Sequence, residues 1–325
     1  MVIERRFCWA LAALLLLSVS ALLIAVTVGS VTLSAAELWA VLQGGGDPLH
    51  RTLLLDLRAP RAGAAFATGA LLALSGALMQ VLLRNPLADP YVLGLSGGAA
   101  VGALSAMLLG FGAAMISGSA FIGALCSALL VFGLAQGAGS WSPARLLLTG
   151  VVVAAGWGAL ISFLLSVGPA ERLPGMLYWL MGDLSYARSP WPAAMLLVAV
   201  MVLALPAGRS LNVLARGPLQ AASLGVPVVW LERGVYVLAS LLTAVAVTTA
   251  GSVGFVGLIV PHMLRLVLGN DQRVILPASA LAGGSLLTLA DTFSRVLIAP
   301  EQLPVGVITA LIGVPTFLWL LYRSR

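Results

Sequence analysis

Lysine is absent from this sequence of 325 residues, and all 17 basic residues are arginines. A P-loop needs a lysine on the β- and γ-phosphates of its nucleotide, and a Schiff-base enzyme needs a lysine amine. Neither chemistry is therefore available to this chain. Cysteine is also scarce, since Cys8 and Cys126 lie in separate apolar segments without a CxxC pair. The sequence therefore predicts neither a disulfide framework nor a thiolate metal site.

Charged residues are the second scarcity, at 9% of the chain against 61% apolar residues. Ordinary soluble domains contain about 25% charged and about 45–50% apolar residues. This composition cannot cover a water-facing surface, so the natural solvent of the chain is lipid. A membrane domain of this length has room for about ten helical spans of roughly 20 residues each.

Ten apolar runs follow one another, and no linker or low-complexity tail separates them. We therefore predict an all-α, polytopic membrane protein with about ten transmembrane helices in a single domain, residues 1–325. With a cytoplasmic N-terminus, eleven arginines fall on the cytoplasmic side and six on the other. This excess follows the positive-inside rule and makes both termini cytoplasmic. The runs occupy residues 7–28, 62–83, 92–109, 117–136, 146–167, 190–208, 235–250, 254–268, 275–297 and 305–322.

Two of these runs depart from a simple span. The first follows the residues ERR and resembles a signal peptide, but its 22 residues exceed a typical signal-peptide core of about 7–15. We interpret it as an uncleaved first helix. Within residues 235–268, Gly251, Gly254, Gly257 and Pro261 interrupt two short spans. A broken or re-entrant helix is therefore expected there.

Ionisable side chains are nearly missing from the helix interiors, because Arg145, Asp291 and Arg295 all fall near predicted helix ends. A proton-coupled transporter usually needs a buried carboxylate or histidine relay. Uphill transport by this chain would therefore take its energy from another polypeptide. The arginines are scattered rather than clustered in a stripe, so nucleic acid is not an expected partner.

The segment LRAPR, residues 57–61, lies on the predicted outer side just before the second span. Pro60 favours an extended conformation at Ala59, which lets Arg58 and Arg61 present two guanidiniums. Arginine pairs with carboxylates through a rigid fork. The segment is either a docking site for an acidic partner or an interfacial anchor of snorkelling arginines.

Two predicted cytoplasmic segments also have marked structure. In residues 210–234, Gly217 and Pro218 separate two short helices, and Gly225 with Pro227 ends the second. Such a unit fits a partner's groove or lies flat as an amphipathic helix. The turn RNPLADPYVLGLSGGA, residues 84–99, joins the second and third spans and is either a structural turn or a hinge of a gate.

These segments resemble the FecCD/BtuC family, the permease subunits of ATP-binding cassette importers for vitamin B12, ferric siderophores and haem. The resemblance extends along nearly the whole chain, in ordered blocks at matching spacing. The blocks are R-x-P-R at 58–61, SGALMQ at 75–80, RNPLADPYVLGLSGGA at 84–99, RLLLTG at 145–150, YWLMGDLS at 178–185, SLGVP at 223–227, GFVGLIVPHMLRL at 254–266 and LPVGVITALIGVPTF at 303–317.

The resemblance implies a BtuC-like type II importer fold and a homodimer with the transport path on its two-fold axis. It also implies two copies of a separate ATPase and a periplasmic substrate-binding protein, at the bacterial inner membrane. ATP and Mg²⁺ would be bound by the ATPase, and neither a cofactor nor a metal by this chain. The blocks do not distinguish among vitamin B12, a ferric siderophore and haem as the cargo.

The family's functional positions can be carried over by motif. Its outer docking arginines match Arg58, Arg61 and Arg295. Its coupling helices match residues 211–226, where many members have an acidic residue after the glycine and this chain reads GPLQ at 217–220. The coupling positions are Leu211, Leu214, Gly217, Ala221, Ser223, Leu224 and Gly225. The gate and pathway positions are Asn85, Pro86, Leu87, Ser142, Arg145 and, on the fifth span, Gly150, Ser162 and Ser166.

Two functions of other classes remain open at this point. Residues 94–97 read GLSG, which matches the GxSG of rhomboid-like intramembrane proteases. Ser96 would then be the nucleophile, with His262 on another helix as its base. The chain could also work alone as an ion-coupled secondary transporter or a channel.

Overall fold

The computed structural model describes residues 2–29, 34–136, 142–185, 187 and 189–323. In this part of the chain the secondary structure is helical and no strand occurs, so the predicted all-α class is confirmed. The helices are α1 (Val2–Thr27), α2 (Ala35–Leu42), α3 (Pro48–Arg51), α4 (Ala59–Leu82), α5 (Leu95–Leu108), α6 (Ala113–Ala135), α7 (Pro143–Val167), α8 (Leu173–Met181), α9 (Trp191–Ala204), α10 (Gly208–Leu214), α11 (Pro218–Ser223), α12 (Val228–Ala250), α13 (Val256–Leu268), α14 (Gln272–Val296) and α15 (Val305–Arg323), with a π-helical turn at Thr52–Arg58 and a 3₁₀ turn at Pro90–Leu93.

Each of the ten apolar runs lies on a helix. Within the described ranges, six helices are long and apolar enough to cross a membrane, namely α1, α4, α6, α7, α12 and α14. The pair α9 and α10, bent by 72°, makes a seventh if it is counted as one span. The remaining runs lie on α5, α13 and α15, which are shorter. With 14 residues at about 1.5 Å each, α5 spans only about 21 Å, so it crosses the bilayer only together with its flanking segments.

Helix α4 lies at the centre of the bundle, where it packs against α14, α12 and α13. In its most apolar stretch 94% of the residues are buried, whereas in α7 only 6% are. Small residues permit this central position, because a Cβ atom on Gly69 would collide with the carbonyl oxygen of Gly283 in α14. Gly98 of α5 meets Gly123 of α6 in the same way. Gly69 and Gly98 therefore lie at close helix–helix contacts.

The predicted break within residues 235–268 lies between α12 and α13, where residues 251–255 leave the helical conformation. Gly251 and Phe255 both have positive φ, at 67° and 69°. Pro261 inside α13 has no N–H to bond the carbonyl of Gly257. The side-chain amide of Gln80 in α4 donates instead to the nearby carbonyl of Leu258 at 3.1 Å. A polar side chain of the central helix thus compensates for the irregular backbone.

Candidate functional site

The outer cavity, at the bundle end predicted to face outward, has a volume of about 650 Å³ and is lined by Arg58, Arg61 and Arg295. Asp291 lies behind these arginines with only 1% of its side chain exposed. Arg61 donates from Nε to both carboxylate oxygens of Asp291, at 3.1 and 3.0 Å, and from Nη2 to Oδ1 at 2.8 Å. Arg295 forms an ion pair with the same carboxylate, with Nε 3.3 Å from Oδ2. One buried carboxylate therefore holds two arginines.

Two of the outer arginines, Arg58 and Arg295, also bind the C-terminal end of α1. Arg58 Nη1 donates to the carbonyl oxygens of Val26 and Thr27, each at 3.1 Å. Arg295 Nη2 donates to the carbonyl oxygen of Ala25 at 3.1 Å. The last carbonyls of a helix have no partner within the helix, so these two guanidiniums satisfy the C-terminus of α1. Both guanidiniums thus make contacts within the chain, and their docking role stays a prediction.

The sequence analysis did not predict that Asp291 pairs with the outer arginines. A signal for it was available, because Asp291 and Arg295 are four residues apart on one helix and therefore neighbours on its surface. The contact with Arg61 joins residues 230 positions apart. A long-range contact of this kind has no signature in one sequence.

The predicted coupling segment, residues 211–226, forms α10, α11 and the turns that end them. Leu211, Leu214 and Ala221 are buried against the bundle, so they anchor the segment. The large apolar side chains that are exposed in this segment are Leu219 and Leu224, at 88% and 64% exposure. The turns depend on Gly217 and Gly225, which have positive φ of 129° and 78°, and Ser223 bonds back to the carbonyl of Gln220.

The predicted gate turn after α4 is held by its own side chains. Asn85 Oδ1 accepts a hydrogen bond from the Leu87 N–H at 2.9 Å, across Pro86. Asp89 Oδ1 accepts one from the Tyr91 N–H at 2.7 Å. Burial raises the pKa of the Asp89 carboxyl to about 6, and the Tyr91 hydrogen bond opposes this shift.

The gate turn also contacts two other parts of the bundle. The Tyr91 hydroxyl accepts a hydrogen bond from the Val253 N–H at 3.2 Å, which links the turn to the unwound residues 251–255. Gly150 of α7 lies directly against the carbonyl oxygen of Val92. A displacement of this turn would therefore reach both α7 and the helix break.

Helix α7 carries the predicted pathway residues. Ser142 caps its N-terminus by accepting a hydrogen bond from the Arg145 N–H at 3.2 Å. Ser162 and Ser166 are exposed, and their hydroxyls bond to carbonyls of α7 itself. The exposed face of α7 is therefore apolar with weak, locally satisfied polar groups.

Ser96 and His262 do not form the hydrogen-bonded pair that the protease alternative needs. Nδ1 of His262 is buried and has no hydrogen-bond partner in the part of the chain that the structure describes. Ser96 lies on α5, which packs mainly on α6, α7 and α12, whereas α13 with His262 packs on α4, α14 and α15. Ser96 and His262 are therefore not placed to act as nucleophile and base.

A bundle of apolar helices with separate polar surfaces at its two ends is the architecture of a multi-pass membrane protein. The model of the FecCD transport family matches residues 14–323. The chain therefore belongs to this family, and the resemblance identified in its sequence blocks is confirmed.

Similar proteins agree with this assignment. The vitamin B12 import system permease protein BtuC of Shigella boydii is 39% identical over 299 residues, covering 90% of this chain and 91% of the relative. The uncharacterized ABC transporter permease protein YvrB of Bacillus subtilis is 37% identical over 292 residues, covering 87% and 82%. A solved structure of an inward-facing conformation, assigned to the metal-chelate type of ABC transporter, is similar with a TM-score of 0.85 at 30% identity, covering 96% and 98%.

Proposed function

We propose that the chain is the permease subunit of an ATP-binding cassette importer that moves a metal chelate from the periplasm to the cytoplasm. It lies in the bacterial inner membrane with both termini cytoplasmic, and a separate ATPase that binds ATP and Mg²⁺ supplies the energy. Membership of the FecCD transport family supports this proposal. The lack of any lysine supports the separate ATPase, since the chain has no P-loop.

The observation that carries the proposal is the geometry of α10 and α11. The 72° bend turns α10 away from the direction of α9. Leu211 and Leu214 fix the segment to the bundle, while Leu219 and Leu224 point away from it. Exposed leucines on a firmly anchored segment form an apolar surface that a partner's groove can cover. Closure of the ATPase on ATP would therefore push on the bundle at this segment.

The motion would pass from the coupling segment to the gate turn, which contacts both α7 and residues 251–255 through Gly150 and Tyr91. A second copy of the chain would place its α7 opposite this one, around a shared path. The weakly polar face of α7 suits a large amphipathic chelate that must be released. Tight binding belongs to the capture protein, which would dock at the outer cavity.

The cargo is a metal chelate such as cobalamin, a ferric siderophore or haem. The relative BtuC is named for vitamin B12 import, and the similar solved structure is assigned to the metal-chelate type. Chelates of this class share a large size and an amphipathic surface. The capture protein selects among them, so binding to the capture protein identifies the cargo.

Transport by proteoliposomes tests the proposal. The permease is reconstituted with the cassette ATPase and capture protein of its own organism, and uptake of labelled cobalamin, ferric siderophore and haem is measured. We expect uptake of one chelate that needs all three proteins and ATP on the ATPase side. Uptake by the permease alone, driven by an ion gradient, would show a secondary transporter and contradict the proposal.

A further inference from the structure

The inner cavity, at the end of the bundle that carries α10, has a volume of about 650 Å³ and lies between the ends of α4, α10, α13 and α14. Three arginines from three different segments line it: Arg84 after α4, Arg216 after α10 and Arg265 in α13. Positive charge is thus concentrated in one concave site, although these residues are far apart in the sequence.

None of these arginines forms an ion pair within the described part of the chain. Arg265 donates to neutral acceptors, the side-chain oxygen of Gln80 and the carbonyl oxygen of Ala77. Arg84 and Arg216 are exposed. Arg84 interacts electrostatically with Glu232, near the start of α12. Glu232 does not line the cavity.

The acidic residue in the wall, Asp271, already has its own partners. Its carboxylate accepts from Arg273 Nη2 at 2.6 Å and from Asn212 Nδ2 at 2.9 Å. The hydrogen bond from Arg273 is the main reason that the pKa of Asp271 lies well below its usual value. The charge of Asp271 is therefore balanced by Arg273. Among the described residues that line the cavity, no carboxylate is left to pair with Arg84, Arg216 or Arg265.

The cavity also contains an unpartnered acceptor. Gln272 is 1% exposed and lines the cavity, and its side-chain oxygen Oε1 has no hydrogen-bond donor among the described residues. A buried polar atom without a partner is costly, so it indicates a missing donor. A segment of protein supplies both a carboxylate for the arginines and a backbone N–H donor for Gln272.

We propose that the inner cavity receives an acidic side chain of the cassette ATPase. Asn212, Ala215 and Arg216 belong both to the cavity wall and to the coupling segment, so a partner that covers the segment reaches the cavity. The coupling segment itself contains no acidic residue. This inference rests on the proposed function, and it adds a polar, charge-specific contact to the apolar contact of Leu219 and Leu224.

Charge reversal tests the inference. The permease is placed in nanodiscs of neutral phosphatidylcholine, and its affinity for the cassette ATPase of its own organism is measured at several salt concentrations. For Arg84→Glu with Arg216→Glu we expect Kd to rise by about tenfold or more, because like charges meet across the contact. The wild-type Kd should rise with salt more steeply than that of the variant.

Arg209→Glu is the matched control, because Arg209 is exposed on α10 and does not line the cavity. We expect a Kd within about twofold of wild type, as for a charge outside the contact. An equal loss with Arg209→Glu, or no loss with the double reversal, would overturn the inference. An acidic residue of the ATPase changed to arginine should restore binding to the Arg216→Glu variant.

Two further outcomes separate the possible sources of failure. If the reversal weakens ATPase binding only in discs that contain phosphatidylglycerol, the cavity takes an anionic lipid headgroup and the inference is wrong. If wild-type permease does not bind the ATPase at all, the proposed function itself fails. Each variant must elute as a single species with an unchanged thermal midpoint, which the exposed positions of Arg84 and Arg216 favour.

Discussion

The two ends of the bundle each place three arginines around a cavity of about 650 Å³, but the two sets of arginines differ in their partners. At the outer end, Arg61 and Arg295 share the buried carboxylate of Asp291, and Arg58 bonds to the end of α1. At the inner end, Arg265 donates to neutral acceptors, and none of the three arginines forms an ion pair with another described residue. The outer arginines stabilise the fold, whereas the inner arginines leave their charge available to a partner.

The acidic residues of the two ends also differ in their partners. Asp291 is surrounded by guanidiniums, while Asp89 in the gate turn has a backbone N–H as its hydrogen-bond partner. Residue type and predicted side therefore do not determine whether a charged residue serves stability or recognition. The buried partners within the chain determine it.

Removal of the buried carboxylate should have the largest effect. In Asp291→Ala, Arg61 and Arg295 keep their charges in a buried setting without a counterion. We expect a loss of about 3–5 kcal/mol in the free energy of unfolding, as for one partner removed from a buried ion pair. Titration with SDS in mixed micelles measures this loss.

Asp56 provides the control for that experiment, because it lines the same cavity but is exposed. Asp56→Ala should change stability by less than about 0.5 kcal/mol, as is usual for an exposed surface position. Equal effects of the two substitutions would mean that the outer arginines do not depend on Asp291.

The same substitution made at both ends gives a direct comparison. Arg58→Gln removes the bonds to the carbonyls of Val26 and Thr27 and should cost about 1–3 kcal/mol, the penalty for unsatisfied buried polar groups. Arg216→Gln should change the free energy of unfolding by less than about 0.5 kcal/mol, because Arg216 is exposed and makes no such bond to another described residue. Unfolding in SDS is again the measurement, and the reverse order of the two losses would refute the division between the ends.

Much of the fold was predictable because a chain in lipid must satisfy its backbone within helices. Ten apolar runs predicted the helices, and Gly251 with Pro261 predicted the break between α12 and α13. The contacts within the candidate site were less predictable from the sequence. Arg58, Arg61 and Arg295 were predicted as a group from the resemblance, but their contacts with Asp291 and α1 depend on tertiary packing. The inner cavity was not predicted, since Arg84, Arg216 and Arg265 meet only after the chain has folded.

The smallest expected effect is the pH dependence of stability that Asp89 of the gate turn causes. Burial raises the pKa of Asp89 to about 6 from its usual 3.8, so the folded state binds the proton more tightly than the unfolded state. The resulting stabilisation is complete below about pH 4 and is lost as the pH rises to about 6. Asp89 is half-buried, and solvent screening reduces the effect to the order of 1 kcal/mol.

Asp89→Asn removes this dependence while the side-chain oxygen can still accept the Tyr91 N–H. The variant should match the wild type near pH 4 and exceed its stability by on the order of 1 kcal/mol at pH 7, measured by SDS titration at each pH. Asp271 gives the opposite sign, because its pKa is lowered mainly by Arg273 and its stabilisation is lost only as the pH falls below about 4. Parallel pH curves for wild type and Asp89→Asn would mean that this carboxyl is as well solvated in the gate turn as in the unfolded chain.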